Sequence, residues 1–312
     1  KEAMKELVKQ AGEHDNISTI YVVDDQDIFY GAIDLKDLIL AREGAKLPSV
    51  AMTSYPYIYA HETIDDCLGR IKSYSEDSIP VLDMENRLLG VITAQDFMEI
   101  LDEEMGEDYA KLGGLSSEED LKESLAVSVK KRLPWLIILL GLGLGVSSVV
   151  GIFESVVAQL TIVVCFQSLV LDMAGNVGTQ SLAVTIRVLM DENLGGFQKL
   201  SLIWKETKIG FLNGIILALI SFGMIGIYTW LFKGKDLFFA FAVAGCVGTA
   251  LLLSISLAAF AGTVIPVFFK KIKIDPAVAS GPLITTVNDL VAVVAYYGLA
   301  WIFLIQILHL AG

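Results

Sequence analysis

The chain is poor in the residues that bind transition metals or form disulfides. Its 312 residues include 3 cysteines and 3 histidines. They are scattered along the sequence, and two of the cysteines, Cys165 and Cys246, fall in apolar segments. Such a set predicts neither a disulfide framework nor a zinc- or copper-type cluster. Small disulfide-rich folds and zinc-dependent classes are therefore excluded.

Basic residues are scarce in the first part of the chain. Residues 1–130 carry 28 acidic and 12 basic side chains, a balance of −16, whereas residues 131–312 carry 8 and 11, a balance of +3. Nucleic acid binding needs lysine and arginine against the phosphates, so we expect no nucleic acid partner. Most of the 54% hydrophobic content lies in the second part. Two or more domains are expected.

An internal repeat occupies the first part at an offset of 59 residues. Residues 20–40 align without a gap on residues 79–99, and each copy is typical of strand, acidic turn, strand and helix. The pair resembles tandem CBS domains, small regulatory modules that often bind adenine nucleotides. The resemblance implies an incomplete first CBS domain at 1–46, a second at 47–101, and ATP or another adenine nucleotide as ligand.

Thr93 and Asp96 match a T-x-x-D pattern of nucleotide contacts in CBS domains. The same spacing also makes a helix capping box with Thr93 as the cap, and both interpretations stay open. An acidic linker with a connecting helix is predicted at 102–131. Within it, residues 116–119 are typical of a helix start, which predicts a helix over about 117–131.

Apolar runs long enough to cross about 30 Å of hydrocarbon fill the second part. The runs are roughly 133–153, 155–186, 209–232, 237–269 and 276–308. We therefore predict a multidomain protein: an α+β regulatory domain, then an all-α polytopic membrane domain of five transmembrane helices at 132–312. Gly141, Gly143 and Gly145 lie inside the first run and predict close helix packing there.

The positions of basic residues predict the orientation of these runs. Lysines and arginines cluster before run one, between runs two and three, and between runs four and five. The opposite side carries Lys233 and Lys235. Because basic loops stay on the cytoplasmic side, we expect a multi-pass protein of the cell membrane with its amino-terminal domain in the cytoplasm and its carboxy terminus outside.

Two carboxylates, Asp172 and Asp289, stand out as lying well inside these runs. A charge at membrane depth costs at least about 2.5–3.5 kcal/mol, so it normally marks a pathway, a relay or a paired partner. Each belongs to a polar stripe at helical spacing. The stripes are Gly281, Thr285 and Asp289, and Asp172, Asn176, Thr179 and Gln180.

Oxygen ligands alone select hard cations, and Mg²⁺ usually keeps several waters while binding one or two carboxylates. Two copies of Asp289 on a dimer axis could hold a hydrated ion, which favours a homodimer with a shared pore. These considerations do not separate Mg²⁺ from Mn²⁺ or Ca²⁺. Alternatives are interhelical hydrogen bonding, a carrier for another divalent cation, a nucleotide-sensing module without transport, and an intramembrane aspartyl protease. The last typically has G-x-G-D, where this chain has T-V-N-D.

Motifs in a fixed order then resemble one family. They are K-R-x-P-W-L at 131–136, F-E-S at 153–155, A-G-N-x-G-x-Q at 174–180 and D-P-A-x-x-S-x-P-L-x-x-T-x-x-D at 275–289. With the CBS pair and the acidic linker, they are similar to the MgtE family of magnesium channels. The family implies a homodimer with five transmembrane helices per subunit, and a cytoplasmic domain that senses Mg²⁺ and closes the pore. The family's amino-terminal helical domain is absent from this chain.

The resemblance also implies roles for individual residues. Asp289 matches the central pore carboxylate, and Gly281 and Thr285 match neighbouring metal positions. Asp172, which we include with them, stands where some relatives have glycine. Three residues match the pore lining of the second helix: Gly175, Asn176 and Thr179. Five match an acidic sensor region for regulatory Mg²⁺: Asp102, Glu103, Glu104, Glu107 and Asp108. Glu154 lies at the outer end of run one, where it would attract cations to the external mouth. The chain is thus predicted to be a Mg²⁺-selective channel or transporter rather than an enzyme.

Overall fold

The computed structural model describes residues 2–10, 17–41, 45–63, 66–67, 76–191, 194–279 and 281–310. They form two compact units, Lys1–Glu104 and Met105–Gly312.

The first unit is built from short strands and helices. Its elements, with the last one continuing into the second unit, are α1 (Glu2–Gln10), β1 (Thr19–Val23), β2 (Phe29–Asp34), α2 (Leu35–Leu40), β3 (Ile58–Tyr59), β4 (Ser78–Leu82), β5 (Leu88–Thr93) and α3 (Ala94–Leu112). β1 and β2 pair antiparallel, β3 runs parallel to β4, and β4 runs antiparallel to β5.

The internal repeat is confirmed in its hydrogen bonds. Thr19 pairs with Asp34 in one hairpin and Ser78 pairs with Thr93 in the other, which keeps the offset of 59. In the first turn, Asp24 Oδ1 accepts from the backbone nitrogens two and four residues further on, at 2.8 and 3.0 Å. Asp83 Oδ1 does the same in the second turn, at 2.9 and 2.8 Å. Equivalent acidic turns therefore shape both copies.

The second unit is helical. Its helices are α4 (Leu125–Ile152), α5 (Glu154–Gln159), α6 (Val164–Asp191), α7 (Gly196–Lys233), α8 (Leu237–Lys271) and α9 (Gly281–Leu299), followed by a π-helix (Ala300–Ile307). Within the part of the chain that the structure describes, five helical segments are long and apolar enough to cross a membrane. The predicted fold class is therefore confirmed.

Two predicted boundaries of the membrane runs are wrong. The second run does not form one helix from residue 155, because the backbone leaves the helical region at Leu160 (φ −135°, ψ 70°). Just after this break, the carbonyl of Val163 accepts a hydrogen bond of 2.7 Å from the hydroxyl of Tyr296. The third helix begins at Gly196 rather than near residue 209, since its polar first turns are also helical.

The connecting helix also begins later than predicted. α3 ends at Gly113 and Gly114, where Gly114 has a φ of +81° that favours glycine. The residues 116–119 do not start a helix; Ser124 precedes α4 instead. The reason is that the acidic side chains of this segment contact the start of α4: Glu119 pairs with Arg132 at 2.6 Å.

α8 lies at the centre of the second unit. It packs against α6, α7 and α9 through small residues. α4, by contrast, contains no buried residue, and a Cβ added to its glycines at 141, 143 or 145 would meet no atom within 4 Å. The prediction that this glycine run packs closely against another helix is therefore wrong for the helices of a single chain.

Candidate functional site

The two polar stripes come together where α6 packs against α9. A Cβ on Gly175 would lie 3.1 Å from Cγ2 of Thr285, and one on Gly281 would lie 3.6 Å from Cγ2 of Thr179. These glycines let the two backbones approach closely. The stripes predicted separately from the sequence therefore form one surface.

This surface carries both membrane carboxylates. Asp289 is half-buried on α9, and Asp172 is exposed on α6. Among the described residues, neither carboxylate forms an ion pair with a basic side chain. A pair of unneutralised carboxylates at this depth suits a cation more than a structural role.

The neighbouring hydroxyls leave oxygen lone pairs for a ligand. Thr285 Oγ1 donates to the carbonyl of Gly281 at 2.9 Å, and Thr179 Oγ1 donates to the carbonyl of Asn176 at 2.9 Å. Each hydroxyl oxygen still has acceptor capacity. In the described ranges no three His, Cys, Asp or Glu side chains cluster as metal ligands. The donor set fits a cation that keeps its water shell rather than one held in a dehydrated cage.

A cavity of about 490 Å³ extends the site between α6 and α7. Its lining includes three residues of the α6 stripe and Asn213 of α7: Asn176, Thr179, Gln180 and Asn213. Six waters occupy roughly 180 Å³ at about 30 Å³ each, so the volume admits a hydrated ion.

Sequence reasoning missed two polar residues of the membrane helices. Asn288 is 1% exposed, and its amide atoms have no hydrogen-bond partner among the described residues; a Cβ on Gly178 would lie 1.8 Å from its Nδ2. Glu206 is 5% exposed in α7. The sequence does not single out Glu206, because it lies between Lys205 and Lys208 in the basic segment that separates the second apolar run from the third. Its signal was the helical continuation of the third run towards Gly196.

The acidic linker residues lie on α3. Asp102 and Glu103 are exposed, whereas Glu107 shares a lysine with a distant carboxylate: Lys111 Nζ lies 3.4 Å from Glu107 and 2.9 Å from Asp275, just before α9. Burial lowers the pKa of Lys111, but the hydrogen bonds and charges of Asp275 and Glu107 outweigh it and the pKa is raised. A cation, here an ammonium, therefore already bridges two carboxylates at this point.

In the first unit, Thr93 and Asp96 form the capping box. Thr93 Oγ1 donates to Asp96 Oδ2 at 2.7 Å, and the Asp96 nitrogen donates back to Thr93 Oγ1 at 3.2 Å. The backbone and then the hydroxyl of Thr93 hold the pKa of Asp96 below its usual value. Thr93 also lines a cavity of about 1020 Å³ together with Tyr21 and Ser78. Glu154 is exposed at the start of α5.

An α+β unit followed by five helices long and apolar enough to cross a membrane, two of which share a carboxylate-bearing polar surface, defines the class of polytopic membrane proteins. Comparison with known proteins makes the class specific. Residues 167–299 match the family model of MgtE, a divalent cation transporter, and residues 49–103 match that of the CBS domain. The second part of the chain therefore carries a domain of the MgtE family, and the first part carries a CBS domain.

Similar proteins cover almost the whole chain. The chain is 34% identical over 304 residues to the magnesium transporter MgtE of Enterococcus faecalis. This alignment covers 97% of the chain and 64% of the relative. The magnesium transporter MgtE of Bacillus subtilis is 32% identical over 304 residues, covering 97% and 65%. The chain thus spans slightly less than two thirds of these relatives' length. Both relatives are named as magnesium transporters.

A solved structure described as the soluble part of a magnesium transporter is 28% identical to this chain. The superposition covers 33% of this chain and 40% of the solved structure's chain, with a TM-score of 0.32. A TM-score this low supports no argument about function.

Proposed function

We propose that the chain conducts hydrated divalent cations, Mg²⁺ before others, through a pore centred on Asp289. The observation that carries the proposal is the single surface of α6 and α9, on which half-buried Asp289 and exposed Asp172 lie among hydroxyl and carbonyl oxygens. Two carboxylates without a basic partner attract a cation, and the oxygen donors suit a hard one.

The pore is shared by two copies of the chain. Asp172 and Asn176 are exposed on a membrane helix, where contact with lipid would cost at least about 2.5–3.5 kcal/mol for the charge alone. A water-filled path between two copies removes this cost and brings two Asp289 carboxylates to one ion. A dimeric pore is therefore the arrangement that the exposed polar surface supports best.

Uptake by the purified chain in liposomes tests the proposal. Mg²⁺ entry is followed with an internal dye, and Asp289→Ala should abolish it while the protein stays folded and dimeric. Asp289→Asn keeps an oxygen and should lose part of the flux. Its matched control is Asp236→Asn, because Asp236 only caps α8 through the Phe238 nitrogen at 2.9 Å and asparagine caps equally well. Normal uptake by folded Asp289→Ala would refute the pore assignment.

The same assay ranks the cations. Faster entry of Mn²⁺ or Ca²⁺ than of Mg²⁺ would favour the alternative of a carrier for another divalent cation.

Mg²⁺ closes this pore by binding the acidic linker, which lies in the cytoplasm with the CBS domains. The support is the acidic run on α3 and the sharing of Lys111 between Glu107 and Asp275. Bridging of carboxylates by Mg²⁺ at high concentration favours a compact, closed state. Shifting the equilibrium from 1:99 to 99:1 needs about 5.5 kcal/mol of differential binding, which several weak sites supply together.

Limited proteolysis of residues 102–130 across a Mg²⁺ titration, paired with flux, tests this regulation. Protection should rise with Mg²⁺ as flux falls. Neutralising Asp102, Glu103 and Glu104 together should weaken both responses. If neither protection nor flux changes with Mg²⁺, the acidic run is only a solvated surface.

We also propose that residues 1–46 and 47–101 are the CBS pair, and that ATP or another adenine nucleotide binds in the cavity lined by Thr93. Calorimetric titration of the whole chain with ATP measures the binding. Thr93→Ala should weaken it, while Thr93→Ser, which keeps the hydroxyl, should not. Unchanged ATP binding with lower thermal stability would leave Thr93 only its capping role.

A further inference from the structure

Glu206 is a buried carboxylate inside the membrane helix α7. It is 5% exposed, and its Oε2 accepts a hydrogen bond of 3.1 Å from Oγ of Ser181 on α6, which is 4% exposed. Of the buried polar residues in the described part of the chain, Glu206 is the one with a carboxyl side chain. A carboxylate removed from water needs a donor to hold it. The contact with Ser181 therefore joins α6 to α7 at a point where losing it is costly.

Ser181 lies on the back of the helix that carries the candidate site. It follows Thr179 by two residues, which is about 200° around an α-helix. Its side chain is buried, whereas Asn176 on the opposite face is exposed. A rotation of α6 about its axis would break the hydrogen bond to Glu206 and turn the oxygen-bearing face away at the same time.

α7 offers a rigid reference for this contact. One turn after Glu206, a Cβ on Gly210 would lie 2.4 Å from Cβ of Ala259 and 3.2 Å from the carbonyl of Ile255, both on α8. Further along, α6 and α7 border the cavity of about 490 Å³ lined by Asn176 and Asn213. Both α6 and α7 pack against α8, but few close contacts join α6 directly to α7 across this open space. The hydrogen bond between Ser181 and Glu206 therefore links the two helices at a point where packing between them is sparse.

We infer that Glu206 is a positioning residue for conduction: through Ser181 it sets the rotation of α6 and so aims Asn176 and Thr179 at the ion path. The effect of Glu206 on conduction rests on the proposed function, whereas its effect on the orientation of α6 is measured separately. We assign both effects to the acceptor oxygen of Glu206, not to its charge.

The experiment compares Glu206→Ala, Glu206→Gln and Ser181→Ala. Mg²⁺ uptake is measured with each variant alone. The orientation of α6 is measured with Asn176→Cys in a chain whose native cysteines are replaced, from the rate at which a water-soluble thiol reagent labels it. Glu206→Ala and Ser181→Ala should each lower both rates several-fold, and their combination should lower them no further. Glu206→Gln, which keeps an acceptor, should hold both within about twofold of the parent.

Thr207→Val is the matched control, because the Thr207 hydroxyl donates within its own helix to the Ile203 carbonyl at 2.7 Å. Its uptake and labelling should equal those of the parent. Equal losses in Glu206→Gln and Glu206→Ala would assign the effect to charge and overturn the inference. Lower thermal stability with unchanged labelling and uptake would overturn it as well. If the parent chain takes up no Mg²⁺, the proposed function fails, yet the labelling rates still decide whether Glu206 positions α6.

Discussion

α4 and α6 are membrane helices of equal length, 28 residues each, with opposite surroundings. The glycines of α4 face open space in the chain, whereas those of α6 lie against α9: Gly175 against Thr285 and Gly178 against Asn288. Glycine in a membrane helix therefore has no single meaning. Its role follows from the residues beside it, which are apolar around the α4 glycines and oxygen-bearing around those of α6.

Replacing one glycine in each helix should produce the largest contrast. A Cβ on Gly178 would lie 1.8 Å from Asn288 Nδ2, so Gly178→Ala should destabilise the protein by about 1–3 kcal/mol or prevent its folding. Gly143→Ala meets no atom and should stabilise α4 by up to about 1 kcal/mol. Thermal unfolding in detergent measures both. Equal destabilisation would show that a surface outside one chain covers α4 as closely as α9 covers α6.

Polar substitutions in the two helices should differ in flux. Asp172 is exposed beside Asp289, so Asp172→Gly should weaken cation binding and slow Mg²⁺ uptake without abolishing it. Ser148 on α4 donates only to the carbonyl of Leu144 in its own helix, at 2.8 Å, and Ser148→Ala should leave uptake unchanged. Uptake in liposomes compares the pair. Unchanged uptake with lower stability in Asp172→Gly would give that carboxylate a structural role.

The smallest effect concerns the first turns of α4, which are held by the ion pair of Glu119 and Arg132. The Arg132 hydrogen bond, followed by that of Ser128, lowers the pKa of Glu119. The pKa of Glu119 is therefore lower in the folded protein than in the unfolded chain, where a glutamate has a pKa of about 4.3. The stabilisation by the ion pair is present above that pH and is lost as the pH falls through the pKa of Glu119 in the folded protein. Proteolysis of the 115–124 segment should therefore increase below pH 4 in the parent.

Arg132→Gln removes the partner of Glu119 and should make this proteolysis less dependent on pH in the same range. An identical pH response in the parent and the variant would show that the ion pair does not hold the segment.

Features that repeat along the sequence, or that contrast with their surroundings, could be predicted from the sequence. The offset of 59 gave the two hairpins in register, because each copy carries its own acidic turn. Asp289 stood out because a charge is rare at membrane depth. Glu206 did not, since lysines flank it and its burial depends on tertiary contacts, such as the hydrogen bond from Ser181, that the sequence does not reveal. The late start of α4 was equally hidden, because contacts with Arg132 override the local helix-start pattern.

The central claim is that one ion path is shared by Asp289 of two chains, and mixed dimers test it most directly. Copies with different affinity tags, one of them carrying Asp289→Ala, are co-expressed, purified through both tags and reconstituted. A shared path predicts Mg²⁺ uptake well below half of the parent rate, with one weaker apparent affinity for Mg²⁺. Mixed dimers with Asp236→Asn should match the parent. Half the parent rate with unchanged affinity in the Asp289→Ala mixture would mean that each chain conducts alone, and would contradict the account.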